Sequence, residues 1–570
     1  MLKHIRIPVW LYGFLPAACC LLKGLSDRLY TDIDSFLVSI TCAGLYGEGS
    51  ICPVIHPLLS LLSGFLSQLW SGADWFSVLG QAFIVLGVWW LGTLLALGIP
   101  QQAKRLTCLL ILSFALLQFS LFNINFTVYA GFFSFLGVAT LLLSFRNILP
   151  SFARFFAVLF LCFGILWRKE GAALLLPFLL LDLCVLALSC KISRRMIHQL
   201  LFCCILPVAF LLLFSFVFSV ASPARQTASV YSASRSILVD YPHLSWEEIG
   251  GTLADLGLSE NDYNAVASGM LLDTERVTAD FLQQVSAVSQ TGAYPFSPAS
   301  LFQTLSALPS VFSTPLLRIL SLFSLALLLL LMVSGSPLYD KIEALLALGG
   351  ACVICLYYQY LGRLPERVAA CVVLALLAVL LPLFLSAPSR QGNPARWFWR
   401  IACAAAGCVL CLCLWKNRYS YHILQPALLA GQTENQTTAA AFPGGENNDS
   451  VYLWNSTTLA LYMTDHYLSQ GKLPDENFVQ HNLPWGEWNT SGQTGYQQLL
   501  SSLGMENPMQ SLLTRPNTYL VGNDTGLIQT WLREHYDGQA VVQPIGTVDV
   551  FAMGEVPVWQ ASADPDKAES

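Results

Sequence analysis

Charge is what this sequence has least of. Asp, Glu, Lys and Arg make up 11% of its 570 residues, less than half of the roughly 25% usual in soluble globular chains. With 55% hydrophobic residues and a mean hydropathy of +0.58, the chain has too few polar groups to cover itself in water, and most of it must face lipid. A basic stripe is also absent, which excludes nucleic acid as a partner. The 17 cysteines lack the flanking His or second CxxC of a metal site. Most of them, such as Cys19, Cys20, Cys203 and Cys204, lie in apolar runs as small fillers. Cys352 and Cys355 form a CxxC by spacing only. Cys42 and Cys52 are the pair in an expected outer loop, where a disulfide and two unpaired thiols are both open. No small-residue cleavage motif follows the apolar start of the chain, so that segment is expected to be retained. No long internal repeat stands out, which weighs against carriers built from two related halves.

What the sequence has is long apolar runs. A span needs about 20 apolar residues. About eleven segments qualify, near 7–24, 75–98, 105–123, 125–145, 154–168, 172–190, 198–221, 316–335, 343–361, 367–386 and 398–415. The stretch 51–70 contains Pro53 and Pro57 and reads as an interfacial or re-entrant helix. With the N-terminus cytoplasmic, the inner loops hold thirteen Lys and Arg and the short outer loops six, the bias expected of that orientation. The 25–74 loop, the 222–315 loop and the tail from 416 then lie outside. The expected fold is mainly α: a polytopic membrane domain over 1–415, a polar linker over 416–449 and an extracytoplasmic α/β domain over 450–570.

Within the 222–315 loop, Ser259 precedes Asp262 as a helix-start box, and the loop reads as a small helical subdomain. In the tail, SVYLW (450–454), NTYLVGN (517–523) and VVQPIGTVDVFAM (541–553) read as strands, the last as a hairpin. TTLALYMTDHYLSQ (457–470) and GLIQTWLREHY (526–536) read as helices.

The few charges are placed unevenly. Asp32 and Asp34 follow the first apolar segment, and His56-Pro57 precedes the next. Asp32 can cap a helix starting at Ile33, the carboxylates can be solvated loop charges, or they can be reactive. Arg168, Lys169 and Glu170 interrupt an apolar stretch, and Arg363 and Arg367 lie between two spans. These cations stand on the expected outer face, against the positive-inside bias. They can snorkel to the interface, or they can hold a phosphate, for which the planar fork of Arg is suited.

A short first helix, an acidic pair in the first outer loop, an amphipathic helix and a downstream His-Pro together resemble the type C glycosyltransferase fold of protein mannosyltransferases, aminoarabinose transferases and oligosaccharyltransferases. Leu166-Trp167-Arg168-Lys169-Glu170-Gly171 resembles the Arg-x-Glu-Gly turn of several such families. The resemblance covers about 7–415. One departure is that Ile33 separates the two Asp, where many members have adjacent carboxylates.

The resemblance implies transfer of a sugar, with inversion, from a polyprenyl-phosphate donor to a cell-envelope glycan, lipid or protein. Asp32 or Asp34 would act as general base on the acceptor. Arg168, Lys169, Arg363 and Arg367 would offset charge on the leaving phosphate, with Glu170 in the same turn and His56 orienting the acceptor. Arg235 and Asp240-Tyr241 would line the acceptor side. A divalent cation, magnesium or manganese, between Asp32 and Asp34 is compatible with hard carboxylate ligands. The expected location is a bacterial plasma membrane. The competing readings are a lipid-linked glycan flippase or transporter, for which mid-span Asp182 is the main support, a polysaccharide polymerase or ligase, and a non-catalytic surface protein.

Overall fold

The structure is a computed structural model. It describes residues 8–26, 33–46, 52–118, 121, 125–150, 152–189, 193–289, 298–387, 405, 407–408, 412, 449–467, 473–474, 476–488, 493–523, 525–550 and 553–563. Asp32, the linker expected at 416–449 apart from Asp449, and nearly all of the 398–415 segment lie outside the described residues. The chain divides into two compact units. The first comprises Met1–Thr31, Val78–Phe216 and Ser297–Pro426; the second comprises Asp32–Ser77, Val217–Phe296 and Ala427–Ser570.

The first unit is helical. Its centre is the helix Phe126–Phe145, all 20 residues of which are buried. Asn125 starts it, its Oδ1 accepting from the N–H groups of Thr127 and Val128 at 2.9 and 3.1 Å. Two neighbours press close because glycines leave room. A Cβ at Gly131 would stand 2.7 Å from Cys371 Sγ on the helix Glu366–Ser386, and one at Gly164 on the helix Ala153–Trp167 would collide with Ser134 Oγ. Small residues at such crossings let helices approach where lipid provides no hydrophobic drive. The outer helices turn apolar faces outward, with Phe155, Leu322, Leu329 and Val353 more than half exposed. Surface of that kind suits acyl chains and is rare on soluble monomers.

Among the described residues, six helices are long and apolar enough to cross a membrane: Trp75–Gly98, Phe126–Phe145, Lys169–Leu188, Pro315–Val333, Leu338–Tyr360 and Glu366–Ser386. A seventh arises if Leu206–Ala221 and Pro223–Asp240, bent by 101° at their junction, are one span. The count of about eleven is not reached here. Ala153–Trp167 and Gln102–Gln118 are 15 and 17 residues long, about 23 and 26 Å at 1.5 Å per residue. The expected 198–221 span is interrupted by a π-turn at Leu201–Ile205. The stretch expected to be interfacial forms the helix Pro57–Leu69, only 13 residues long.

The second unit gathers three separated stretches. The first contributes the helices Ile33–Cys42 and Pro57–Leu69, and the second contributes Pro223–Asp240, Trp246–Asp255, Glu260–Ala267 and Ala279–Ser289. The expected Ser259–Asp262 capping box is present, and Ser245 and Glu248 form another. The third contributes a five-stranded sheet: β1 (Val451–Asn455), β2 (Asn482–Trp485), β3 (Thr518–Val521), β4 (Val541–Val550) and β5 (Gly554–Ser562), in the order β2-β1-β3-β5-β4. β1 runs parallel to β2 and β3; β5 runs antiparallel to β3 and β4.

The expected strands at 450–454 and 517–523 and the helices at 457–470 and 526–536 are found as β1, β3, Ser456–His466 and Thr525–His535. The hairpin is placed differently. Its turn lies between Val550 and Gly554, and 541–550 is a single strand with a register shift between Pro544 and Gly546. Pro544 suggests a turn in sequence, yet a bulge on an edge strand accommodates a residue with no N–H to donate.

The three stretches of this unit are joined by buried polar bonds. Tyr46 Oη donates to the carbonyl of Asn482 at 2.9 Å. Arg225 Nη1 and Nη2 donate to the carbonyls of Cys52 and Ile55 at 3.1 and 3.2 Å. The buried Asp273 carboxylate accepts from Asn507 Nδ2, Trp531 Nε1 and Tyr536 Oη at 2.9, 3.0 and 2.7 Å.

Candidate functional site

The expected site residues fall in both units. Asp34, His56 and Arg235 belong to the second unit; Arg168, Lys169, Glu170, Arg363 and Arg367 belong to the first.

In the second unit, the helix Ile33–Cys42 begins at Ile33 with Asp34 in its first turn, a position the positive end of the helix dipole favours for a carboxylate. Arg235 lies near the end of the helix Pro223–Asp240, and its side chain is 8% exposed. Its Nε donates to the carbonyl of Gly486 at 3.0 Å, Nη2 stands 2.7 Å from Glu487 Oε2, and Nη1 stands 3.5 Å from Asp240 Oδ1. The loop after β2 thus delivers Glu487 to Arg235. It can come so close because Gly486, at φ +93°, faces Gly269, where a Cβ would stand 2.6 Å from the Gly269 carbonyl oxygen.

Asp34 acts on this group electrostatically. Burial pushes the Glu487 carboxyl up to about 7; the Arg235 guanidinium opposes the rise, and the charges of Asp34 and Asp240 reinforce it. Asp240 and Glu487 therefore share one guanidinium, and Asp34 adds its charge to the carboxyl of Glu487. Trp485 and Trp488 flank Glu487. Both are buried, and among the described residues neither indole N–H group has a hydrogen-bond partner. Unsatisfied buried donors are uncommon in native proteins.

His56 plays a local part. It caps the helix Pro57–Leu69, its Nδ1 accepting from the N–H of Leu58 at 3.2 Å. Cys42 and Cys52 are both buried free thiols within hydrogen-bonding reach of each other, which, with burial, raises the Cys42 thiol well above its ordinary range.

In the first unit, Arg168 separates the helices Ala153–Trp167 and Lys169–Ala173. Its Nη1 donates to Thr127 Oγ1 at 2.7 Å, its guanidinium lies 5.2 Å from the Phe126 ring centre, and its Nε is 3.7 Å from Glu170 Oε2. Lys169 is mostly exposed and also reaches Glu170, at 3.8 Å. Cys371, one turn beyond Arg367, donates to the Thr127 carbonyl at 3.3 Å, and a Cβ at Gly171 would stand 3.7 Å from the same sulfur. The Arg168 turn and the start of the helix Glu366–Ser386, which carries Arg367, therefore meet at one end of the Phe126–Phe145 helix. Arg363 lies just before that start and is half-buried, as is Arg367. The two basic groups that the sequence keeps almost 200 residues apart share an end of this unit.

The expected cation ligand set includes Asp32, outside the described residues. Among the described residues, three ligand atoms of His, Cys, Asp or Glu come within 4.8 Å of one another only at Asp262, Glu534 and His535. There His535 Nε2 already lies 2.5 Å from Asp262 Oδ1, and Asp34, Asp240 and Glu487 do not form such a group.

Comparison of the chain with protein-family models, with curated proteins and with solved structures finds no match.

Glu487 and the two tryptophans are absent from the sequence-derived site. The signal that could have found them is local: Pro-Trp-Gly-Glu-Trp (484–488) puts one carboxylate between two indoles. Its partnership with Asp34 has no local mark.

Proposed function

We propose that this chain is a polytopic membrane glycosyltransferase. It would move a sugar from a polyprenyl-phosphate donor to a cell-envelope acceptor, with the shorter apolar helices and the 398–415 segment completing about eleven spans. The observation that carries this reading is the enclosed Glu487 carboxyl, held 2.7 Å from Arg235 Nη2 and pushed up to about 7 by burial, with the charges of Asp34 and Asp240 adding to the rise. A general base works best when its proton affinity matches the working pH. In this reading Glu487 removes the acceptor's proton, Asp34 and Asp240 keep its affinity high, and Arg235 holds its orientation. The unpartnered indole N–H groups of Trp485 and Trp488 are suited to hydroxyl oxygens of a sugar. In the first unit, Arg168, Lys169, Arg363 and Arg367 are cations suited to bind a phosphate group, the planar fork of Arg being able to bond two of its oxygens.

The test is transfer by the purified full-length protein in detergent, using radiolabelled polyprenyl-phosphate sugars and extracted envelope acceptors. Glu487→Gln is expected to lose about 10²–10⁴-fold in rate, the usual worth of a positioned base, and to keep its fold. Asp34→Asn removes a charge that raises Glu487, so its rate profile should keep its shape and move its acid limb to lower pH. Unchanged turnover in both variants would sink the reading and favour a flippase.

A further inference from the structure

A second set of ionisable groups lies in the first unit, at the opposite end of the Phe126–Phe145 helix from Arg168 and about 30 Å away at 1.5 Å per residue. Arg146 caps this end. Its guanidinium is 2.6 Å from Asp182 Oδ1, 3.5 Å from Glu343 Oε2 and 3.8 Å from Asp340 Oδ1. Asp182 comes from the helix Leu176–Leu188, and Asp340 and Glu343 from Leu338–Tyr360. The side chains of Asp182 and Glu343 have no exposed surface, and Arg146 and Asp340 are 10% and 8% exposed.

Asp182 and Glu343 together carry two charges when ionised, against the one guanidinium of Arg146, which Asp340 also approaches. Asp182 and Glu343 lie within hydrogen-bonding reach of each other, yet Asp182 Oδ2 and Glu343 Oε1 have no hydrogen-bond partner among the described residues. Two ionised carboxylates in contact, both out of water, repel each other and leave acceptors unmet. Nearby Lys341 does not correct the balance at this pair, since its Nζ donates to the carbonyl of Met332 at 2.7 Å. Beside the cluster, Tyr339 contributes a phenol, and Ser386 from the helix Glu366–Ser386, Gln199 from Arg194–Leu200, and Ser144 and Asn147 beside Arg146 contribute uncharged groups. These side chains, with Arg146 and Asp340, line a cavity of about 580 Å³. Ionisable residues within spanning helices mark ion pathways more often than structure.

We propose that Asp182 and Glu343 jointly bind one small cation, a proton or a sodium ion, which reaches them through this cavity. Either ion supplies the missing positive charge and bridges the two unmet oxygens. Arg146 then balances a second carboxylate and fixes the pair's geometry. The site is independent of the sugar-transfer reading.

The experiment uses the full-length protein in detergent. Thermal melting is measured in sodium chloride and in choline chloride at equal ionic strength. Infrared spectra are recorded for the carbonyl stretch of a protonated carboxylic acid. Wild type is compared with Glu343→Gln and Asp182→Asn, neutral near-isosteres whose amide can donate between the two oxygens. A sodium-dependent rise in melting midpoint that both variants lose identifies sodium. A component of the protonated-carboxyl band that persists in wild type at about pH 8.5, above the range in which Glu487 keeps its proton, and that both variants lose with no sodium response, identifies the proton; a band unchanged in both variants overturns it. If wild type shows neither signal, or if sodium raises all three proteins equally, the proposal fails. Having two variants keeps the result readable if one of them does not fold.

Discussion

The Glu487 carboxyl makes the stability of the second unit depend on pH in a direction opposite to that of an ordinary paired carboxylate. Its folded value is about 7, against an ordinary 4.5. Between those values the folded chain keeps the proton and the unfolded chain has lost it. The unfolded state binds fewer protons, so stability falls as pH rises. At 1.36 kcal/mol for each tenfold change in proton affinity, the loss amounts to about 3 kcal/mol across that range. The side chain is 16% exposed, so solvent screening removes only part of it. For a unit of this size that is a fall of roughly 5–10 °C in melting temperature. The assay is thermal melting of wild type and Glu487→Gln in detergent from about pH 5 to about pH 8.5. All other ionisable groups are common to both proteins and cancel in the difference. The wild-type midpoint should drop through neutrality relative to that of the variant. Parallel curves would refute the reasoning, because they would mean that Glu487 is already ionised throughout the range.

Three further outcomes follow from buried geometry. Arg225→Ala leaves the carbonyls of Cys52 and Ile55 without their donors and should cost about 3 kcal/mol, read as a lower melting temperature. Lys in its place should restore less than half, since it lacks a fork that can reach both oxygens. Gly486→Ala places a Cβ 2.6 Å from the Gly269 carbonyl at a positive φ. It should destabilise by about 2–3 kcal/mol and move Glu487 off Arg235, so that proteolytic cleavage of the 482–488 segment speeds up. Asp273→Asn replaces a carboxylate that accepts from Asn507, Trp531 and Tyr536 with an amide whose NH₂ must face donors. A loss of about 2–4 kcal/mol is expected, measurable by chemical denaturation.

What could be read locally in the sequence is what local chemistry determines. Unbroken apolar runs such as 126–145 and 366–386 announce their helices, because lipid requires every backbone bond to be made within the segment. The Ser259 box and the β-branched and aromatic strands at 451–455 and 518–521 likewise depend on near neighbours. Pro544 misled because its tolerance comes from lying on an edge strand, which is a property of the whole sheet. β2, with only Asn-Leu-Pro-Trp, is too short to show a period and owes its existence to pairing with β1. The candidate site was half legible. The oddly placed charges Asp34, Arg235 and Arg168 stand out in an apolar chain. Glu487 sits in a polar tail where one more carboxylate is unremarked, and only contacts across hundreds of residues bring it to Arg235.

That separation has a consequence for biosynthesis. Arg235 and Gly486 are 251 residues apart, which at 5–20 residues per second is roughly 10–50 s of ribosome time. For most of that interval Arg235 has only Asp240 beside it, because Gly486 and Glu487 have not yet been made. The 222–315 segment must wait, hydrated, for the last part of the chain to be made. The carboxyl cluster cannot close on a nascent or truncated protein, and a chain cut anywhere before Trp488 leaves Arg235 with no site to complete.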